Sequence, residues 1–319
     1  MERFHYFAYR ASTILYKYLV QSKTEEWILP ANICYIVPMV FLKAKKNISF
    51  VDIDPVTFLI DENKVYDIIR IKSQGSIGVL FNHTYGCEIN QDFFFNNLKS
   101  LKHDINIIDD KCLCLPRFDE EESKNADLIL YSTGYSKYVD LGIGGYGFSK
   151  QKLNFDYFDY DVDDEKSILN IVKKTIEKGE RPDINLFNQK WLNSYELELE
   201  IPHYVGMVRT EQIRIAEHKR KINLIYENNL PIEIQLNTCF QQWRFNIIVN
   251  GRDLLLKQIF FNKLFASSHY HDLSGILMNQ QAKYSFELHS KVINLFNDKY
   301  ISENQALKLT RIIRKYLKL

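Results

Sequence analysis

At 319 residues, with 46% hydrophobic and 25% charged residues, the chain is long enough to bury one large core and a smaller one. Its 41 Lys and Arg against 40 Asp and Glu leave no net field to hold nucleic acid or an anionic membrane by charge alone, which points instead to small-molecule chemistry. The opening MERFHYFAYR places Glu2, Arg3 and His5 ahead of any apolar run, unlike a secretory leader, and no segment reaches bilayer length, so a cytoplasmic protein is expected.

Taken in order, short apolar runs alternate with helical patterns as far as about residue 150. The runs are Trp27 to Pro30, Ile48 to Ile53, Ile77 to Phe81, Ile105 to Ile108 and Leu128 to Tyr131. Between them, apolar residues three and four apart predict helices near 12–21, 33–44, 62–70 and 91–101. The alternation predicts an α/β domain with a mainly parallel sheet between helices, whose ligands sit beyond the carboxyl ends of the strands. Residues 155–164 read as an acidic, aromatic solvated loop, followed by a helix from Glu165 to Lys178 and a basic helix from Arg209 to Asn228. A second α/β unit follows: a strand from Arg244 to Val249, a helix from Arg252 to Phe265, a strand from Lys291 to Leu295 and a closing helix from Ser302 to Tyr316. The division is expected near residue 205, giving domains 1–205 and 206–319. There are no repeats or low-complexity tracts.

The chemistry concentrates in INIIDDKC (105–112) and ADLILYSTGYSKYVDLGIGGYGF (126–148). Asp109 and Asp110 end one predicted strand, and Ser132 and Lys137 lie just past the next, so all four belong at the ligand edge. Alternation along the strand sends the two aspartates to opposite faces. A carboxylate facing a lysine, with a hydroxyl five residues before that lysine, suits pyridoxal phosphate (PLP). The amine condenses with the aldehyde, the carboxylate keeps the ring nitrogen protonated, and the hydroxyl donates to the phosphate. Glycines 142, 144, 145 and 147 let the backbone pass close to such a ligand and turn back into a strand. Each feature alone is also found in caps, hairpins and surfaces. Of the five cysteines, only Cys112 and Cys114 are close in sequence, and no second ligand pair follows them, so no metal site is expected.

Across nearly the whole chain these segments resemble the DegT/DnrJ/EryC1/StrS family of fold type I, PLP-dependent sugar aminotransferases. WILPANICYIVPMVFLKAKKNISFVDIDPVTFLID (27–61) is similar to its L-P-x-x-x-C and V-D-I-D segments, and FNHTYGCEIN (81–90) to V-H-x-Y-G. IIDD is similar to I-E-D and YSTGYSK to S-x-x-x-x-K. The resemblance implies Asp110 at the ring nitrogen, Ser132 at the phosphate and Lys137 as the cofactor-bearing catalytic lysine. It further implies a helix start at Ala11 and Ser12 for the phosphate, His83 and Tyr85 beside the ring, a homodimer, and transfer of an amine from a donor such as glutamate to a keto sugar of the nucleotide-linked class. Dehydratases of the family carry His in place of the lysine, and Lys137 argues against that branch.

Two departures set up alternatives. Leu113 stands where the family has Gln or His, and Tyr9-Arg10-Ala11-Ser12 replaces its glycine-containing phosphate turn. A degenerate relative acting as a binding or regulatory protein would show such losses. A PLP enzyme acting on an amino acid would instead need an arginine clamp, for which Arg209 and Arg244 are available. Tyr35, Tyr85 and Cys34 are the residues placed to lie against the ring.

Overall fold

The computed structural model describes residues 3–72, 75–118, 123–156, 158–179 and 189–319. Seven strands form one sheet: β1 (Phe4–Ala8), β2 (Glu26–Pro30), β3 (Asn47–Val51), β4 (Ile77–Asn82), β5 (Asn106–Asp110), β6 (Leu128–Ser132) and β7 (Gly145–Ser149), in the order β1-β7-β6-β5-β4-β2-β3. From β3 through β6 every pairing is parallel, and β7 runs against both of its neighbours. Helices α1 (Ala11–Gln21), α2 (Ile36–Lys43), α3 (Glu62–Ile71) and α4 (Asp92–Leu101) are the crossovers. The expected mainly parallel seven-stranded sheet is therefore present.

Strand β1 was not among the expected runs. It is short, its first two residues are exposed, and it gains strand form by pairing with β7, so its local pattern carries little signal. Arg3 pins it, donating to the carbonyls of Ser123 at 2.8 Å and Ala126 at 2.9 Å. Strand β5 runs two residues beyond the apolar run and carries both aspartates at its end. Strand β3 stops short of Ile53, where Asp54 accepts from the amides of Val56 and Thr57 and turns the chain.

The period of two along these strands sorts the core into two layers. Leu80, Ile108, Leu128 and Leu130 face α1 and α2, packing with Ile14, Tyr18 and Phe41. Val79, Phe81, Ile107, Ile129 and Tyr131 face α4, packing with Phe94 and Phe95.

Helix α5 (Val162–Lys178) starts inside the stretch expected to be a loop, because Asp161 caps it by accepting from the amides of Asp163 and Asp164. Within that stretch Tyr157 lies outside the described residues. Helix α6 (Ile201–Asn229) begins eight residues before the basic helix read from sequence and is continuous through residue 205. Tyr204, Val208 and Ile215 on it pack into the large-sheet core, while Ile222 and Tyr226 pack into a separate core farther along.

That second core holds β8 (Phe245–Ile248), α7 (Arg252–Phe261), β9 (Ala266–Ser267), β10 (Val292–Leu295) and α10 (Glu303–Tyr316), with an antiparallel sheet ordered β8-β10-β9, whereas α8 (Ser274–Met278) packs Leu277 into the large-sheet core and α9 (Lys283–Lys291) packs Leu288 with Tyr85 and Trp243. Helix α7 ends at Phe261, earlier than expected, as Lys263 takes φ 57° and breaks the helical path. Helix α10 begins with a capping box between Ser302 and Gln305.

Candidate functional site

A cavity of about 360 Å³ opens at the carboxyl ends of β4, β5 and β6. Register builds its floor. Asn82 pairs with Asp110 across β4 and β5, and Asp110 pairs with Leu130 across β5 and β6, so these side chains share one face with Ser132, two residues on. All four line the cavity, together with Lys137. Asp110 Oδ1 accepts from the Cys112 amide at 3.0 Å, and the carboxylate also takes a hydrogen bond from the Cys112 side chain.

Asp109 points through the opposite face. It is fully buried, Oδ1 lying 2.9 Å from His83 Nε2 while Oδ2 accepts from Gln91 Nε2 at 2.7 Å and from Ser123 Oγ. Burial pushes its carboxyl upward, but His83, Lys111 and Ser123 outweigh this and hold it below the ordinary carboxylate value. His83 also has Nδ1 2.9 Å from the Cys87 carbonyl, and part of its surface lines the cavity.

One end of the cavity is shaped for an anion. The first turn of α1 presents Ala11 and Ser12, and its N-cap residue, Arg10, supplies no side-chain acceptor to occupy the first amides. Those amides and the positive end of the helix dipole therefore remain for a ligand. Arg10 itself lines this end, Nη1 donating to the Gly142 carbonyl at 2.8 Å and its guanidinium lying 5.0 and 5.2 Å from the rings of Tyr9 and Tyr135. Ser132 Oγ takes the Gly134 amide at 3.3 Å and faces the same space. Gly145 lets α1 come this close, since a Cβ there would stand 2.1 Å from the Ala11 nitrogen.

Electrostatically the floor is mixed. Burial pushes up the thiols of Cys34 and Cys112; the Asp110 charge raises both and the Lys137 charge lowers both, so carboxylate and amine act on the same two side chains. Burial, with Arg244 and Lys137 adding to it, holds His269 down at about 4.

The structure thus gathers Ala11, Ser12, His83, Asp110, Ser132 and Lys137 around one cavity, with Cys34 and Tyr35. Tyr85 lies elsewhere. It is in the turn Thr84–Gly86 with φ 53°, its hydroxyl donates to the His269 carbonyl, and its ring stacks on Trp243 at 6.3 Å. Neither arginine proposed as a clamp lines the cavity: Arg209 is exposed on α6, and Arg244 is buried with its guanidinium 4.6 Å from the Trp243 ring and 3.6 Å from the Phe296 ring. Arg10, Asn82, Glu165, Trp191 and Asn193 are cavity residues that sequence reasoning did not place there. Asn82 was legible from its position at a strand end; Glu165 and Trp191 reach the cavity only through packing of distant segments.

The mainly parallel sheet with this strand order and the small C-terminal α/β unit form a fold shared with solved structures of PLP-dependent aminotransferases. Among solved structures the chain is similar to a DegT/DnrJ/EryC1/StrS aminotransferase from Brucella abortus, with TM-score 0.68, 13% identity, and coverage of 98% of this chain and 85% of that one. It is similar to Helicobacter pylori PseC, an aminotransferase involved in the biosynthesis of pseudoaminic acid, at TM-score 0.69 and 13% identity over 99% and 87% of the two chains. It is also similar to the E. coli GDP-4-keto-6-deoxy-D-mannose-3-dehydratase with bound hydrated PLP, at TM-score 0.63 and 13% identity over 98% and 87%. No family model and no curated protein matches the chain.

Proposed function

We propose that the chain is a PLP-dependent aminotransferase that converts a keto sugar, of the nucleotide-linked class, to an amino sugar with an amino acid such as glutamate as donor. What supports this most is the convergence of Lys137, Asp110, Ser132 and the first turn of α1 on one cavity. The residues present fit the cofactor. Asn82, 7% exposed and paired with Asp110 in register, has a buried Oδ1 with no hydrogen-bond partner among the described residues, which suits the cavity floor to a polar ligand. The altered phosphate turn also still delivers Arg10, Ala11 and Ser12 to the cavity.

When bound, PLP supplies an aldehyde for amines and a ring that withdraws electrons. Asp110 would hold a proton on the ring nitrogen through its carboxylate. Ser132 Oγ, the Ala11 and Ser12 amides and Arg10 would hold the phosphate. Lys137 Nζ would anchor the cofactor and serve as general base and acid for the substrate proton. A lysine in this role fits transamination, in line with the aminotransferases among the similar structures. Glu165, Trp191 and Asn193 also line the cavity, as acceptor, aromatic face and amide, a set suited to the hydroxyls and C–H faces of a sugar ring.

The test is a half-reaction. Purified protein titrated with PLP should gain a visible band, borohydride should fix the cofactor to Lys137 in the peptide mass map, and glutamate should then release one 2-oxoglutarate per site with no sugar present. Binding of PLP without any such conversion, by glutamate, glutamine or other common amino acids, would replace this reading with that of the degenerate relative.

A further inference from the structure

Lys137 sits in a turn whose shape is not self-supporting. Ser136, just before it, has φ 57°, a left-handed conformation that is unfavourable for a non-glycine residue and persists only where surroundings impose it. Within the turn, the Ser136 amide donates to Asp140 Oδ2 at 2.9 Å. Three further contacts on residues 136–140 arrive from farther along the chain. Trp243 Nε1 donates to the Ser136 carbonyl at 2.6 Å. Lys219 Nζ lies 5.1 Å from the centre of the Tyr138 ring. Lys299 Nζ donates to the Asp140 carbonyl at 2.9 Å.

The indole that grips Ser136 is itself fixed. Trp243 is 4% exposed, with the Tyr85 ring stacked on it at 6.3 Å and 8° and the Tyr270 ring at 6.2 Å and 12°. The Trp243 carbonyl accepts from Lys219 Nζ at 2.7 Å, and the same ammonium donates to Asn297 Oδ1 at 2.7 Å. Lys219 therefore ties the backbone of Trp243 to the small-domain loop while covering the residue that follows Lys137.

We infer that Trp243 is a positioning residue for Lys137, its indole N–H holding the lysine turn against the small domain so that the amine is presented to the cavity in one orientation. The inference rests on the reading of Lys137 as the reactive amine. It also gives Tyr85 a role away from the cavity, as part of the stack that fixes the indole.

Trp243→Phe keeps an aromatic ring in the stack and removes the donor together with the indole's second ring, and Lys299→Met loosens the turn from an exposed site that leaves the core packing as it is. Hydrogen–deuterium exchange of residues 134–142 reads the clamp with or without cofactor. One lost hydrogen bond should speed exchange there up to about tenfold in Trp243→Phe, less in Lys299→Met, with α10 unchanged. Visible circular dichroism per bound PLP reads the orientation, and should fall by about half or more in Trp243→Phe at equal occupancy. A purely structural role would lower the melting temperature and leave that ratio alone. Unchanged exchange over 134–142 in both variants overturns the clamp, and faster exchange with an unchanged dichroism ratio overturns the positioning role. If the wild type binds no PLP, the proposed function fails, while the exchange measurement still decides the clamp.

Discussion

Exchanging the two neighbouring aspartates for asparagine one at a time separates what holds the fold from what holds the ligand. In Asp109→Asn the buried carboxylate is lost from a site where Oδ1 meets His83 and Oδ2 meets Gln91 and Ser123. An amide NH₂ placed at Oδ2 faces the Gln91 amide that was donating, one placed at Oδ1 replaces the oxygen that faces His83 Nε2, and Lys111, 3.8 Å from Oδ2, loses a nearby negative charge. Breaking a buried charge network in this way costs about 3–5 kcal/mol, and the retained carbonyl oxygen places the change near the lower end. For 319 residues the unfolding entropy is about 0.7 kcal/mol/K, so the melting temperature should fall by about 4–5 °C. Asp110→Asn keeps the Cys112 contact through its carbonyl and should move the melting temperature by less than about 2 °C. Its PLP affinity, however, should drop about ten- to hundredfold, the value of a hydrogen bond to a charged group. Thermal melts and PLP titration followed by visible absorbance measure both. The acid limb is a further check. Because the folded Asp109 carboxyl lies below its ordinary value, its stabilisation is present above about pH 4 and lost as pH falls through the folded value, and Asp109→Asn should lack that loss. If Asp110→Asn melts as low as Asp109→Asn and binds PLP normally, the assignment of faces is wrong.

Four other outcomes are expected. Gly145→Ala drives a methyl group into the Ala11 backbone and should destabilise by about 2–3 kcal/mol while weakening binding of PLP and of inorganic phosphate, checked by melting and calorimetry. Lys137→Ala should fold as the wild type does, bind PLP without a borohydride-stable adduct, and release no 2-oxoglutarate. Burial lowers Lys219 to about 7, so the unfolded chain binds the extra proton between about pH 7 and 10.4, and stability should rise with pH across that window. Lys219→Met should flatten this rise, and parallel pH slopes for the two proteins would refute the assignment. Sedimentation at micromolar concentration should find a homodimer, and a fully active monomer would contradict that expectation.

How far the site could be read from sequence varies by residue for physical reasons. Strand alternation placed Asp109 and Asp110 on opposite faces, and the resemblance of IIDD to I-E-D selected Asp110 as the one at the ligand edge. Ser132 and Lys137 were legible because the chain beyond a parallel strand must emerge at the ligand edge. Tyr85 was not, since nothing local announces that its left-handed backbone turns the ring onto Trp243. Glu165 lay hidden at the end of a run of acidic residues that reads as solvated; packing of Ile168 and Val172 against the core selects which acid of that first helical turn looks inward. The start of α6 was obscured by its basic middle, although Tyr204, Val208, Ile215, Ile222 and Tyr226 form one buried stripe along it. Strand β1 depends on a partner too distant for any local pattern to reveal.

That distance matters on the ribosome. Arg3 and the Phe148 carbonyl it contacts are 145 residues apart, and the strand pairing beside them spans a similar interval. At about 5–20 residues per second, β1 is made about 7–30 s before β7 exists to receive it. The first turn of α1, which rests on Gly145, waits equally long for its neighbour. Strand β1 is thus made well before its partner, leaving an interval in which FHYFA is an unpaired strand open to a chaperone or to the wrong edge.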